Sequence, residues 1–206
     1  MGKVVRMVQG IGIKGTKYGS REDGKPSRVY TLWLNMLRRC TKKYWDKYPT
    51  YTGTTCSENF KSFTFFYEWC QTQIGFMNTD GTGSRSIYQL DKDLLGNGSK
   101  VYSEDTCCFV PPQVNSLLLV KKTGSAKYPR GISKAKRVKT VSFEVVCGDG
   151  LGSYTKTGCF RTLDKALEAY KLMKESVIKE VANEYKEQLD SRVYEALMNY
   201  EVNEND

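Results

Sequence analysis

The sequence predicts an α+β fold from three observations. Two amphipathic helical stretches lie near the N-terminal end, a strand–glycine turn–strand–helix pattern lies in the middle, and a strand pair leads into one long helical pattern afterwards. At 206 residues the chain is long for one domain and short for two large ones. The predicted organisation is an N-terminal extended arm over 1–28, a first module over 29–120 and a basic linker over 121–140. A second module over 141–189 and a C-terminal helix and tail over 190–206 complete it.

Taken in order, the arm mixes Gly, Lys and Ser with the apolar pieces "KVVRMV" and "GIGI" and runs into the loop "SREDGKPS". "RVYTLWLNMLRRC" then sets Tyr30, Trp33, Met36 or Leu37 and Cys40 at helical spacing, with Ser27 as N-cap. "TKKYWDKYPTYTGTTC" reads as irregular, aromatic and basic, turning at Pro49 and Gly53. "SENFKSFTFFYEWCQTQIGF" repeats apolar residues at Phe60, Phe63, Phe66 or Tyr67 and Cys70, which predicts one helix ending before Gly75. Its aromatic stripe suits core packing better than base stacking.

"NTDGTGSRS" reads as a loop. Beyond the central pattern, "LLLVKKTGSAKYPRGISKAKRVKT" reads as a linker that contains no acid. Cations without counter-charges gain most from counterion release on nucleic acid, although such a run also serves simple solvation. "TVSFEVVCGDG" and "SYTKTGCF" predict paired strands around a glycine turn. "RTLDKALEAYKLMKESVIKEVANEYKEQL" predicts a long helix capped by Thr162, with Leu163, Ala166, Leu167, Tyr170, Met173, Val177 and Val181 as its buried stripe. A break near Asp190 precedes a last helical piece, "SRVYEALMNY".

The chain carries 32 Lys and Arg against 23 Asp and Glu, a net charge of +9. That balance favours a polyanionic partner, double-stranded DNA first, over a merely soluble basic protein. No stretch is long and apolar enough to span a bilayer, and the start lacks the pattern of a signal peptide. The seven cysteines are odd in number and irregularly spaced, which predicts reduced, mostly buried thiols in a cytoplasm. With no histidine at all, histidine triads, histidine zinc sites and histidine general bases are excluded.

The chemistry-bearing stretch is "QLDKDLLGNGSKVYSEDTCCFVPPQVN", residues 89–115. If residues 89–93 form a strand, Gln89, Asp91 and Asp93 share one face, and two carboxylates there are hard donors for a cation such as Mg²⁺. The same pattern also fits a solvated strand face. "GNGS" supplies a tight turn, "KVYS" the return strand, and Asn115 an amide that a short helix carries back toward Asp91.

Three stretches resemble the phage-encoded HNH endonucleases of the homing type, which join a ββα-metal nuclease module to an AP2-like DNA-binding module. They are "YTLWLNMLRRC" with its aromatic second helix, "LDKDLLGNGSKVYSEDTCCFVPPQVN", and "GISKAKRVKTVSFEVVCGDGLGSYTKTGCFRTLDKALEAYKLMKE". The resemblance covers about residues 28–180. It implies an N-terminal ββα-metal module and a C-terminal three-stranded AP2-like sheet with a packed helix. It also implies Mg²⁺- or Mn²⁺-dependent cleavage or nicking of double-stranded DNA in a bacterial host cytoplasm.

By that resemblance Asp91, Lys92 and Asn115 are the catalytic set, and Asp91 and Asn115 are metal ligands, with Asp93 beside them on the strand. Lys92 stands where the family has its general-base histidine, and Thr106 where it has the central asparagine. A lysine is protonated at neutral pH and makes a poor base, so Lys92 is expected to clamp phosphate instead. The alternatives left open are an inactive, sequence-specific DNA binder or repressor and a phage counter-defence protein that binds a host defence protein. The DNA-contacting residues expected are Lys121, Lys122, Lys134, Lys136, Arg137, Lys139, Lys156 and Arg161.

Overall fold

The computed structural model describes residues 7–77, 87–119, 127–135 and 142–203. Two compact units divide the chain: Met1–Thr79 with Tyr88–Phe109, and Asp80–Ile87 with Val110–Asp206. The division falls after Phe109, ahead of the helix that carries Asn115, rather than near residue 120.

In the first unit the arm folds back on itself. Strands β1 (Arg21–Glu22) and β2 (Lys25–Pro26) pair antiparallel about Asp23 and Gly24, both at positive φ, the backbone of a two-residue hairpin turn. Helix α1 (Arg28–Arg39) starts where Ser27 Oγ accepts from Tyr30 N at 3.2 Å. It buries Val29, Trp33, Met36 and Leu37. Trp33 donates its indole N–H to Phe60 O at 2.8 Å, so this large side chain is buried without losing a hydrogen bond.

Thr41 caps a short helix α2 (Lys42–Lys47) that the sequence pattern does not reveal. None of its residues is buried, so no apolar periodicity marks it. Strand β3 (Thr55–Cys56) follows. The predicted second helix is in fact two, α3 (Glu58–Lys61) and α4 (Phe63–Thr72), each with its own serine cap. The break has a physical cause in the arm. Ile13 N donates to Lys61 O at 2.8 Å and Phe63 N donates to Ile13 O at 2.9 Å, which diverts the helical ladder at Ser62. Phe60, Phe63 and Phe66 are fully buried, and each contributes about 1.5–3 kcal/mol of apolar burial.

The central stretch departs from the expected hairpin. Strand β4 is only Gln89–Asp91, so Asp93 lies in a bend and shares no strand face with Asp91. Strand β5 (Val101–Tyr102) pairs parallel with β3, and β4 pairs with β6 (Cys108–Val110). The "GNGS" turn does form: Asn97 and Gly98 both take positive φ, and Ser99 N donates to Gly96 O at 2.8 Å.

The second unit opens with helix α5 (Pro112–Leu118). Strands β7 (Ile132–Lys134), β8 (Phe143–Gly148) and β9 (Tyr154–Phe160) form an antiparallel sheet in that order. The first strand therefore lies inside the segment expected to be linker. Helix α6 (Leu163–Glu184) packs on the sheet through Ala166 and Tyr170, which share a core with Ile132, Val145 and Val202. Along α6 the buried positions run Ala166, Tyr170, Lys174, Ile178 and Ala182, every fourth residue, with Val181 beside them. The expected Met173 and Val177 are displaced from the buried face by one position. Asp190 caps the last helix, α7 (Ser191–Met198). Among the described residues no helix is long and apolar enough to cross a membrane.

Candidate functional site

Asp91 ends β4, and its Oδ1 accepts from Asp93 N at 3.0 Å and Leu94 N at 2.8 Å. These bonds make the carboxylate the anchor of a turn, a common task for an aspartate. Burial raises its pKa, and the nearby Asp93 charge pushes the same way. The backbone donors and Lys92 oppose the shift without cancelling it.

Lys92 is internal, 7% exposed. Its ammonium pairs with Asp93 and lies 5.5 Å from the centroid of the Tyr102 ring. Arg39 donates to the Tyr102 hydroxyl at 3.1 Å, although burial still lifts that phenol well above its ordinary pKa. A lysine clamping a phosphate has to present its ammonium to solvent; this one spends it inside the unit. The Cys107 thiol nearby is fully buried and pushed up to about 12 by that burial, so it stays protonated at neutral pH.

Thr106 ties the loop before β6. Its hydroxyl donates to Val101 O at 2.7 Å and accepts from Ser103 N at 3.0 Å, while Ser103 Oγ accepts from Asp105 N and Thr106 N. The position the resemblance gives to an orienting asparagine is thus occupied by a residue that closes the loop through its own hydroxyl.

The four residues expected to act together are divided. Asp91, Lys92 and Asp93 belong to the first unit, whereas Asn115 lies in α5 of the second, its N–H bonded to Pro111 O at 3.1 Å. The donors around Asp91 do not make a cation site. One Asp91 oxygen holds two backbone N–H groups, and Asp93 is engaged by Lys92. Among the described residues no group of three or more His, Cys, Asp or Glu side chains is arranged to hold a metal.

In the sheet, Ile132 and Val145 face α6, whereas Ser133, Glu144, Val146 and Lys156 share the opposite face by register. Lys134 and Arg161 are exposed. Lys156 is exposed as well but pairs with Glu144 at 2.7 Å. Lys121, Lys122, Lys136, Arg137 and Lys139 lie outside the described residues.

Two groups escaped the sequence reading. Arg39 and Tyr102 enclose Lys92 from segments distant in the chain, a relationship no local pattern encodes. Lys174, 5% exposed, was legible in principle, because it continues the four-residue spacing of Ala166 and Tyr170 along α6. No family model matches the chain, and no curated protein or solved structure matches it either.

Proposed function

We propose that the protein binds double-stranded DNA and that its HNH-like central stretch serves as a structural element without hydrolysing phosphodiesters. The observation that carries the second half of this reading is the placement of Lys92. The residue standing in for the general base is buried, ion-paired and stacked on an aromatic ring, where it can neither take a proton from water nor grip a phosphate.

The net charge of +9 supports the DNA-binding half. So does the small sheet backed by α6, since strands can enter a DNA groove. Lys134 and Arg161 are the exposed cations the reading assigns to DNA, with Lys156 held in reserve by Glu144. The test is equilibrium binding to a random-sequence duplex across a salt series. A steep linear loss of log affinity with log salt supports the reading; affinity indifferent to salt rejects it.

A second reading, metal-dependent nicking, is favoured by Asp91. A buried carboxylate with a raised pKa marks functional sites more often than ordinary surface positions.

A further inference from the structure

The second unit contains a cleft of about 340 Å³, within the roughly 300–1,000 Å³ typical of small-molecule sites. One wall is α5, contributing Ser116 and Leu117. Another is the loop between β8 and β9, Gly148–Ser153, and the floor is Tyr170 and Lys174 of α6, with Arg130 at the side. No acidic residue lines it, so two cations face the space without a carboxylate among its walls.

The cleft is built rather than incidental. The Asp149 carboxylate, held below its ordinary pKa by backbone N–H groups, accepts from Leu151 N at 2.8 Å and Ser153 N at 3.1 Å. Those bonds fix the loop while keeping the acid off the lining. Gly150, at φ +83°, lets the loop press on α5: a Cβ there would meet Gln113 O at 2.7 Å and Leu117 Cγ at 3.0 Å. Gln113 donates to Asp149 O at 2.9 Å and closes the same contact.

We propose that this cleft binds a small organic phosphate monoester, the phosphate held by Lys174 and Arg130 and the organic part set against Tyr170 and Tyr154. A phosphate monoester carries about −1.5 to −2 charge at pH 7, which matches two cations better than a single carboxylate does. The cleft exceeds what inorganic phosphate alone fills, and the two tyrosine rings suit a planar group. A duplex backbone is a poor fit, because a phosphate on a stiff rod cannot reach an ammonium that is only 5% exposed. The proposal is independent of the DNA-binding reading.

The experiment is calorimetric titration of the full chain with a nucleoside 5′-monophosphate, the matching nucleoside and inorganic phosphate. Wild type, Lys174→Met and Arg130→Gln are compared, with circular dichroism confirming the fold. The expected result is saturable binding of the monophosphate, at least tenfold weaker binding of the nucleoside, and competition by inorganic phosphate. Arg130→Gln should weaken the monophosphate about tenfold, as loss of a charged hydrogen bond does, and it carries the test if Lys174→Met does not fold. Equal affinity for nucleoside and monophosphate, unchanged binding by a folded Arg130→Gln, or no saturation by about 10 mM ligand overturns the proposal. Displacement of the monophosphate by a short duplex lacking terminal phosphates also overturns it, by assigning the cleft to DNA.

Discussion

Lys92 holds its ammonium 5.5 Å from the centroid of the Tyr102 ring, inside the first unit. The same ring receives Arg39 at its hydroxyl, so two cations from separate segments converge on one aromatic group. A cation over a ring face is worth about 0.5–2 kcal/mol, more as water is excluded. This geometry gives Lys92 a structural task.

It follows that Lys92→Met, which keeps the stem and drops the charge, should leave duplex affinity unchanged and shift stability by less than about 1 kcal/mol. Lys92→Ala removes the packed stem as well and should cost about 1–3 kcal/mol in urea unfolding. A large loss of DNA affinity in a folded Lys92→Met protein would restore the phosphate clamp.

Asp91 makes a prediction with a definite sign. Its folded pKa is raised above the unfolded value, chiefly by burial. The native state therefore binds the proton more tightly, and the stabilising contribution is complete below the unfolded pKa and lost as pH rises through the folded one. Asp91→Asn keeps an oxygen for the Asp93 and Leu94 N–H groups and cannot ionise. It should gain stability relative to wild type on going from about pH 3 to pH 7, read as urea midpoints. Asp91→Ala loses both bonds and should cost about 1–2 kcal/mol. An Asp91→Asn protein that tracks wild type at both pH values contradicts the burial argument.

The arm is part of the first unit's core. A Cβ on Gly12 would lie 2.8 Å from Trp33 Cζ2 and closer still to Leu37. Gly12→Ala should cost about 1–3 kcal/mol of stability, as overpacking does. A neutral effect would mean that the arm is not seated on α1.

On DNA, Lys134→Ala should reduce the slope of log affinity against log salt by about one. Lys156→Ala should reduce it by less, because Glu144 already compensates that charge at 2.7 Å. Identical slopes for Lys134→Ala and wild type would remove Lys134 from the interface.

The elements legible in the sequence are those whose periodicity and caps agree. Ser27, Thr162 and Asp190 cap the helices they were expected to start or precede. The split at Ser62 was hidden, since its cause is Ile13, nearly fifty positions earlier in the chain. Strand β7 was hidden because three residues inside a basic, glycine-bearing segment give no alternation to read. At the central stretch the turn at Asn97-Gly98 was visible in composition, but strand pairing was not. A strand of two or three residues has too few side chains to specify its partner.

Supercoiled plasmid incubated with Mg²⁺ or Mn²⁺, wild type beside Asp91→Ala, tests the central claim most directly. The account predicts that both proteins retard the plasmid while it stays supercoiled after deproteinisation. Relaxed circles produced by wild type and absent with Asp91→Ala would contradict it and make the central stretch a working nuclease.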